Sequence, residues 1–400
     1  MSQPALAIDP HRATRSVVPA LPTDRLSVEL KRDLDLEPDD RSALDGLIDG
    51  RPHVGAFLSL AWLSGFFAER ADGAEFSLAL LRQGRTLRAV VPLAVRQTRT
   101  HVCVSLIGGG RGSDRVDLLA ARGFEAIASD TFLSWLGEMF GPKGFLLELR
   151  DVPAGSSLWG AIQRAGSEHT LRLALQPKEI YTLPYLALAD PEPAVLDSPS
   201  ALSLGSLKKH RRWLDHRCHL TIDRLLNLDD VMEAFDHLVG FLRARWGGQA
   251  VGSVLDDPRA LRFHRHVLPL LLAEGRLRMI RLRGDDRTIG VFYGIASRGW
   301  WGYYLAGYDR EWAGRIRLGQ ITLATAIELA AQEGATEFDF LKGAERIKYV
   351  WPVRERGTVD ADVFSEQSGA QFARATRATR DAAAALSKSA RGLLSATPGL

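Results

Sequence analysis

Cysteine is nearly absent. Cys103 and Cys218 are the two in 400 residues, and they fit neither a disulfide framework nor a CxxC metal site. The histidines form no metal-ligating pattern either, since HRH at 264–266 leaves one residue between ligands and has no Cys or acid partner beside it. Long apolar runs are also missing, and none approaches the roughly 18 residues a membrane helix needs. The first residues, MSQPALAIDPHRATRSVVPALP, contain no continuous apolar h-region. A reducing cytoplasm is therefore the expected location, without membrane insertion. An excess of one charge is lacking too: 51 Lys and Arg stand against 48 Asp and Glu, a formal +3. That argues against wholesale nucleic-acid binding and leaves local basic patches open. A nucleotide-binding glycine signature is missing as well. GGGRGSD (108–114) has no following Lys-Ser/Thr, and Ser113 occupies the last Gly position of GxGxxG, so it reads as a loop after a strand.

The length suits two domains, and 46% hydrophobic with 25% charged residues is a globular composition. Residues 1–30 read as a disordered arm rich in Pro, Ser, Thr and Arg. Helical patterns follow at 39–49 and 56–70, the second apolar on nearly every face. FSLALLRQGRTLRAVVPLAV (76–95) reads as a hairpin around Arg82, Gln83 and Gly84, with Pro92 marking an edge or a bulge. The same order returns later. ALRFHRHVLPLLLAEG (260–275) is a helix ending on Gly275, and RLRMIRLRGDDRTIGVFYGIA (276–296) is a second hairpin. An aromatic strand (299–313), a helix over 315–334 closed by Gly334, and a strand TEFDFLK (336–342) complete it. Two copies of one α/β unit are expected, over 31–188 and 204–364, joined by a Pro- and Asp-rich linker at 189–203. An Ala- and Arg-rich helix and tail fill 365–400.

Three stretches attract chemistry. Asp339, between Phe338 and Phe340, faces opposite to them on its strand. It is either a buried general base or a structural acid bonded to a nearby Arg. Arg315, Arg317, Gly319 and Gln320 open the helix of the second unit, where unpaired N–H groups and the helix dipole favour an anion. KKHRRWLDHR (208–217) would place Lys208, Arg211 and Arg212 on one helix face. With Trp246 they form a candidate substrate-binding set, the alternative being a solvated basic face.

The segment FDFLKGAERIKYVW (338–351) resembles the closing motif of the CelD-type, cellulose-biosynthesis branch of the GNAT acetyltransferase superfamily, roughly FDFxRGxxxYKxxW. GYYLAGYDREWAGRIRLGQITL, LGSLKKHRRWLDHR, and FLSLAWL with AVVPLAV resemble further parts of that family, so the resemblance spans about residues 40–364. Lys342, Ala344 and Ile347 depart from the motif; Gly343, Lys348 and Trp351 keep it. The resemblance implies an α/β (α+β) fold of two tandem GNAT-like domains, each a mixed sheet flanked by helices. It also implies an acyltransferase that moves an acetyl or other acyl group from acetyl-CoA, or another acyl-CoA, to an amine or hydroxyl acceptor. A small molecule or saccharide is the expected acceptor, in polysaccharide or envelope biosynthesis, with no metal and no DNA. Gly343 would join the cofactor-binding residues. Lys348 and Tyr349, or Tyr303, Tyr304 or Tyr308 on the neighbouring strand, would serve in catalysis, a Tyr being the family-like general acid; Lys348 paired with Glu345 on the surface is the plainer alternative. The donor is expected in the second unit. A more distant resemblance to FemABX-type transferases leaves open an aminoacyl-tRNA donor, and a non-catalytic GNAT-like partner protein is a third reading.

Overall fold

The computed structural model describes residues 25–69, 73–168, 173–188, 212–246, 254–313, 317–343, 345–366, 370–371 and 374–375. The sequence-expected linker and most of the arm and tail lie outside these residues.

The first half of the chain supplies β1 (Ser27–Lys31), β2 (Glu75–Gln83), β3 (Thr86–Gln97), β4 (Val102–Leu106), β5 (Leu119–Ala120), β6 (Phe145–Pro153) and β7 (Leu173–Ala187). The second supplies β8 (Leu220–Arg224), β9 (Leu277–Gly284), β10 (Arg287–Ser297), β11 (Trp300–Tyr308), β12 (Glu337–Asp339) and β13 (Arg354–Ser365). They form one mixed sheet in the order β1-β2-β3-β4-β6-β13-β7-β12-β11-β10-β9-β8, with β5 on β3. Each half contains one parallel pair, β4 with β6 and β11 with β12. The order is palindromic in kind: a meander, then a parallel pair, then an antiparallel closing strand. The closing strands are exchanged, because β13 lies against β6 while β7 lies against β12.

The helices are α1 (Pro38–Gly50), α2 (Pro52–Gly55), α3 (Leu60–Ala68), α4 (Glu125–Phe140), α5 (Ser157–Glu168), α6 (Leu228–Trp246), α7 (Pro258–Ala273), α8 (Arg310–Ala313) and α9 (Leu318–Gln332). Their ends follow local chemistry. Asp257 caps α7 by accepting from the Arg259 N–H at 2.8 Å, with Pro258 in the first turn. α7 and α9 stop at Gly275 and Gly334, both at positive φ as left-handed C-terminal residues. Strand β1 starts at Ser27 and pairs with β2, so the expected arm gives way to sheet earlier than residue 30. β3 is an interior strand, contrary to the edge reading of Pro92. That proline sits between the stretches of β3 that pair with β5 and with β4, where its missing N–H leaves no partner unsatisfied. The bulge in this hairpin lies instead at Leu81–Arg82.

α1, α4 and α5 pack the first half's core. In the second half α6 and α7 cover one sheet face and α9 the other. The apolar segment expected over 56–70 crosses over. Phe57 and Trp62, both fully buried, join the second half's core, where Trp62 meets Phe263 at 5.0 Å and Tyr304 at 5.3 Å between ring centroids. Full burial of a ring such as Phe57 stabilises by up to about 3 kcal/mol. The crossing binds the halves together.

Candidate active site

Strands β11 and β12 run parallel for three residue pairs, ending at Gly302 opposite Asp339. Beyond that point they diverge. β11 continues to Tyr308, with Tyr304 the extra residue at a register shift against β10. β12 stops, and the chain turns through Leu341, whose φ of 56° is strained for a leucine. The loop 108–117 of the first half closes one side of the divergence. Tyr304 Oη donates to the Gly112 carbonyl at 2.9 Å, Trp62 Nε1 donates to Ser113 Oγ at 2.9 Å, and Lys342 N–H donates to Asp114 Oδ2 at 2.9 Å.

Asp339 is fully buried here. It forms ion pairs with Arg115, and with Arg356 at 3.0 Å, and it accepts from Trp300 Nε1 at 3.3 Å and the Leu341 N–H at 2.8 Å. Burial pushes its carboxyl up, but the two guanidiniums outweigh burial and hold it below the ordinary range. Such a carboxylate is a weak proton acceptor, so the geometry favours the structural-acid reading of Asp339. Lys348 is buried rather than paired on the surface. Its Nζ donates to the carbonyls of Lys342 at 2.8 Å and Gly343 at 3.2 Å, and pairs with Glu345 at 2.7 Å. It staples the 342–348 loop. Gly343, at φ 115°, gives that loop its turn. Tyr349 lies exposed and donates to Glu355 at 2.9 Å; that bond first, then burial, raises its pKa. Tyr304 is well placed in the divergence, and burial raises its pKa well above the usual phenol value.

Helix α9 begins at Leu318, three residues later than its pattern suggests. Arg317 occupies the N-cap position, exposed, and Gln320 lies half-buried in the first turn. Gly319 has a packing reason: a Cβ there would meet Tyr308 Cε1 at 2.7 Å. Of the remaining candidates, Arg315, Lys208 and Arg211 lie outside the described residues. Arg212 is exposed at the start of the helical stretch 212–217, and Trp246 ends α6, its side chain being outside the described set.

On the first half, where β4 and β6 separate in turn, a cleft of about 810 Å³ lies on the sheet face whose far end, at Cys103, Leu146 and Phe364, packs against Ala370. Arg96, Ser105, Glu148, Arg150 and Asp360 come from its strands, while Gly108–Arg111 and Lys342 stand at its wall. Lys342 Nζ pairs with Asp151 at 2.7 Å and lies 3.4 Å above the Tyr181 ring. Asp151 also accepts from the Gly110 N–H at 2.9 Å. Burial raises the pKa of both Asp114 and Asp360. The sequence reading missed Asp114, Arg115, Asp151 and Asp360. Asp114, just after the glycine-rich 108–112, carries the one sequence signal among them.

Residues 204–349 match a family model described as an acetyltransferase (GNAT) domain. Among solved structures the chain is similar to FemX, at 8% identity over 83% of this chain and 96% of that one, with a TM-score of 0.57. It is also similar to a conserved protein of unknown function from Bacteroides thetaiotaomicron VPI-5482, at 10% identity over 85% of this chain and 100% of that one, with a TM-score of 0.52. At such identities the likeness is one of fold, and it spans both halves. A search of curated protein sequences finds no match. No helix among the described residues is long and apolar enough to cross a membrane.

Proposed function

We propose that this protein is an acyltransferase that takes its acyl group from acyl-CoA at the second half, residues 204–364, and delivers it to an acceptor bound against the first half, residues 31–188. The observation that carries the reading is the divergence of parallel β11 and β12 beside the bulge at Tyr304, followed directly by α9, inside the segment that matches the GNAT domain. Diverging parallel strands leave backbone N–H groups free for a thioester and its pantetheine arm. The N-terminus of the next helix favours the pyrophosphate. Arg317 and Gln320, with Arg315, would line that anion site. CoA supplies the activated thioester; the chain's residues bind and orient it. The 342–348 loop, stapled by Lys348, stands between this helix start and the first-half cleft, so donor and acceptor would meet at Lys342 and Gly343.

The corresponding helix of the first half is less suited to a phosphate. α4 opens with Glu125, whose carboxylate accepts from the Gly123 N–H at 2.7 Å and already supplies negative charge at that helix end. The more distant sequence resemblance to FemABX-type transferases supports one second reading, an aminoacyl-tRNA donor at the same divergence, and the chain shares its fold with FemX. Polysaccharide or envelope biosynthesis is the setting that the sequence resemblance implies.

Calorimetric titration with acetyl-CoA tests the reading, with Arg317→Glu as the variant because Arg317 is exposed at the N-cap of α9. Micromolar binding weakened at least tenfold by the variant is expected. A folded protein with no affinity for acetyl-CoA, but with transfer activity abolished by ribonuclease, would replace it with the aminoacyl-tRNA reading.

A further inference from the structure

The first-half cleft holds a concentration of unusual backbone. Asp151 lies inside β6 yet has φ 56°, and the register between β6 and β13 shifts at this point. The register between β13 and β7 shifts at Asp360–Ala361. Leu341, before Lys342, has φ 56° as well. Strained residues persist where surrounding structure fixes them, and they gather at functional sites. Here both strained residues position one contact, Lys342 Nζ to Asp151 Oδ1, at the cleft wall. The Asp151 N–H in turn donates to Asp360 Oδ1 at 2.8 Å, leaving the other carboxylate oxygen of Asp360 for the cleft.

The cations of this cleft differ in their commitments. Arg150 is held by Asp362 at 2.7 Å, and Lys342 by Asp151. Arg96, exposed on β3, has no partner among the described residues. Between β3 and β13 lie β4 and β6, a width of roughly 14 Å at ordinary strand spacing. The floor between carries Ala94 and Ser105, small enough to leave a trough, with Phe76 beside them.

We propose that this cleft is the acceptor site, that Arg96 selects acceptors carrying an anionic group, and that Asp360 takes the proton from the acceptor's nucleophile. This rests on the acyltransferase reading above. In the step, the nucleophile loses its proton to Asp360 as its nitrogen or oxygen bonds to the acyl carbon. The carbon–sulfur bond breaks, and the thiolate leaves with the electron pair and is protonated by solvent. Asp360 then returns its proton to solvent. Arg96 lies in register with Cys103, Leu146 and Phe364, four residues along β13 from Asp360, so the two backbones are roughly 19 Å apart, a span that a short peptide or an oligosaccharide covers once the Arg96 side chain reaches inward.

The test uses the full chain, acetyl-CoA and paired acceptors that differ in charge alone: short peptides with free amines against their C-terminal amides, and uronic-acid disaccharides against neutral ones. Acylated products are read by mass spectrometry, and donor binding by calorimetry. Acylation of the anionic members is expected. Arg96→Gln should raise their KM at least tenfold with kcat within about twofold. Asp360→Asn should lower kcat at least a hundredfold and remove the acid limb of the pH–rate profile, with acetyl-CoA affinity intact. Should Asp360→Asn fail to fold, Ala94→Trp fills the trough and should abolish acceptor turnover while keeping donor affinity. Equal acylation of charged and neutral members, unaltered turnover in Ala94→Trp, or donor binding without any acylated product overturns the proposal. Loss of donor binding in the wild-type protein overturns the acyltransferase reading instead.

Discussion

Asp339→Asn is the most demanding perturbation of this fold. The carboxylate answers two guanidiniums, but unequally. Arg356 is about a quarter exposed and has Glu337 as a second partner, whereas Arg115 is 1% exposed and has Asp339 as its ion-pair partner. An amide that keeps its oxygen on the Leu341 N–H turns its NH2 toward the Arg115, Arg356 and Trp300 donors and loses all three of those bonds. Removing one side of a buried pair costs about 3–5 kcal/mol, because the other charge is left uncompensated. Urea denaturation followed by Trp fluorescence should show that loss. Arg115→Met in the same chain should recover part of it, giving a coupling energy in a double-mutant cycle. Asp339's carboxyl is held lower in the folded state than in the unfolded chain. Its contribution is therefore complete above the ordinary carboxyl range and is lost as pH falls through that range toward the lower folded value. The variant should lack this part of the acid destabilisation. A loss below about 1 kcal/mol would refute the reasoning. So would a fully stable variant without transferase activity, which would return Asp339 to a role in proton transfer.

Gly319→Ala drives a methyl group against Tyr308 and should destabilise by about 1–3 kcal/mol in thermal melts, with Tyr308→Leu relieving the strain. Lys348→Met removes the ammonium from two carbonyls and from Glu345; a loss of about 1–3 kcal/mol and faster proteolytic cleavage within 342–348 are expected. Tyr304→Phe deletes one bond to the Gly112 carbonyl, worth about 0.5–1.5 kcal/mol; a much larger fall in kcat at intact stability would mark Tyr304 as the proton donor. Asp114 has a raised folded-state pKa, which disfavours the folded state once the acid ionises. Asp114→Asn should therefore gain stability at neutral pH, the gain shrinking as pH falls through the raised value, as pH-dependent denaturation curves would record.

Local features were legible in the sequence because their causes are local. Turn residues at 82–84 and a Gly-Asp pair mark the hairpins, and Gly275 and Gly334 end their helices as their positions suggested. The closing motif drew attention to 338–351, the segment that holds the buried Asp339 and Lys348. What each polar residue does there was not legible, since it depends on partners far away in the chain. Arg115 and Asp339 are 224 residues apart, and Lys342 and Asp151 are 191 apart. No periodicity announces that an Arg in a glycine-rich loop will neutralise an acid of the other half. The exchange of β7 and β13 is hidden for the same reason. Each strand alternates as it would in either place, and only pairing decides its neighbour.

That exchange has a consequence for synthesis on the ribosome. β6 acquires its antiparallel neighbour from residues 354–365, more than 200 positions later in translation. Until they emerge, the nascent first half exposes a bare strand edge, open to wrong pairing or to a chaperone. The chain is thus obliged to finish its earliest sheet almost last, and a ribosome stalled before Arg354 would hold a folded fragment with an unsealed seam.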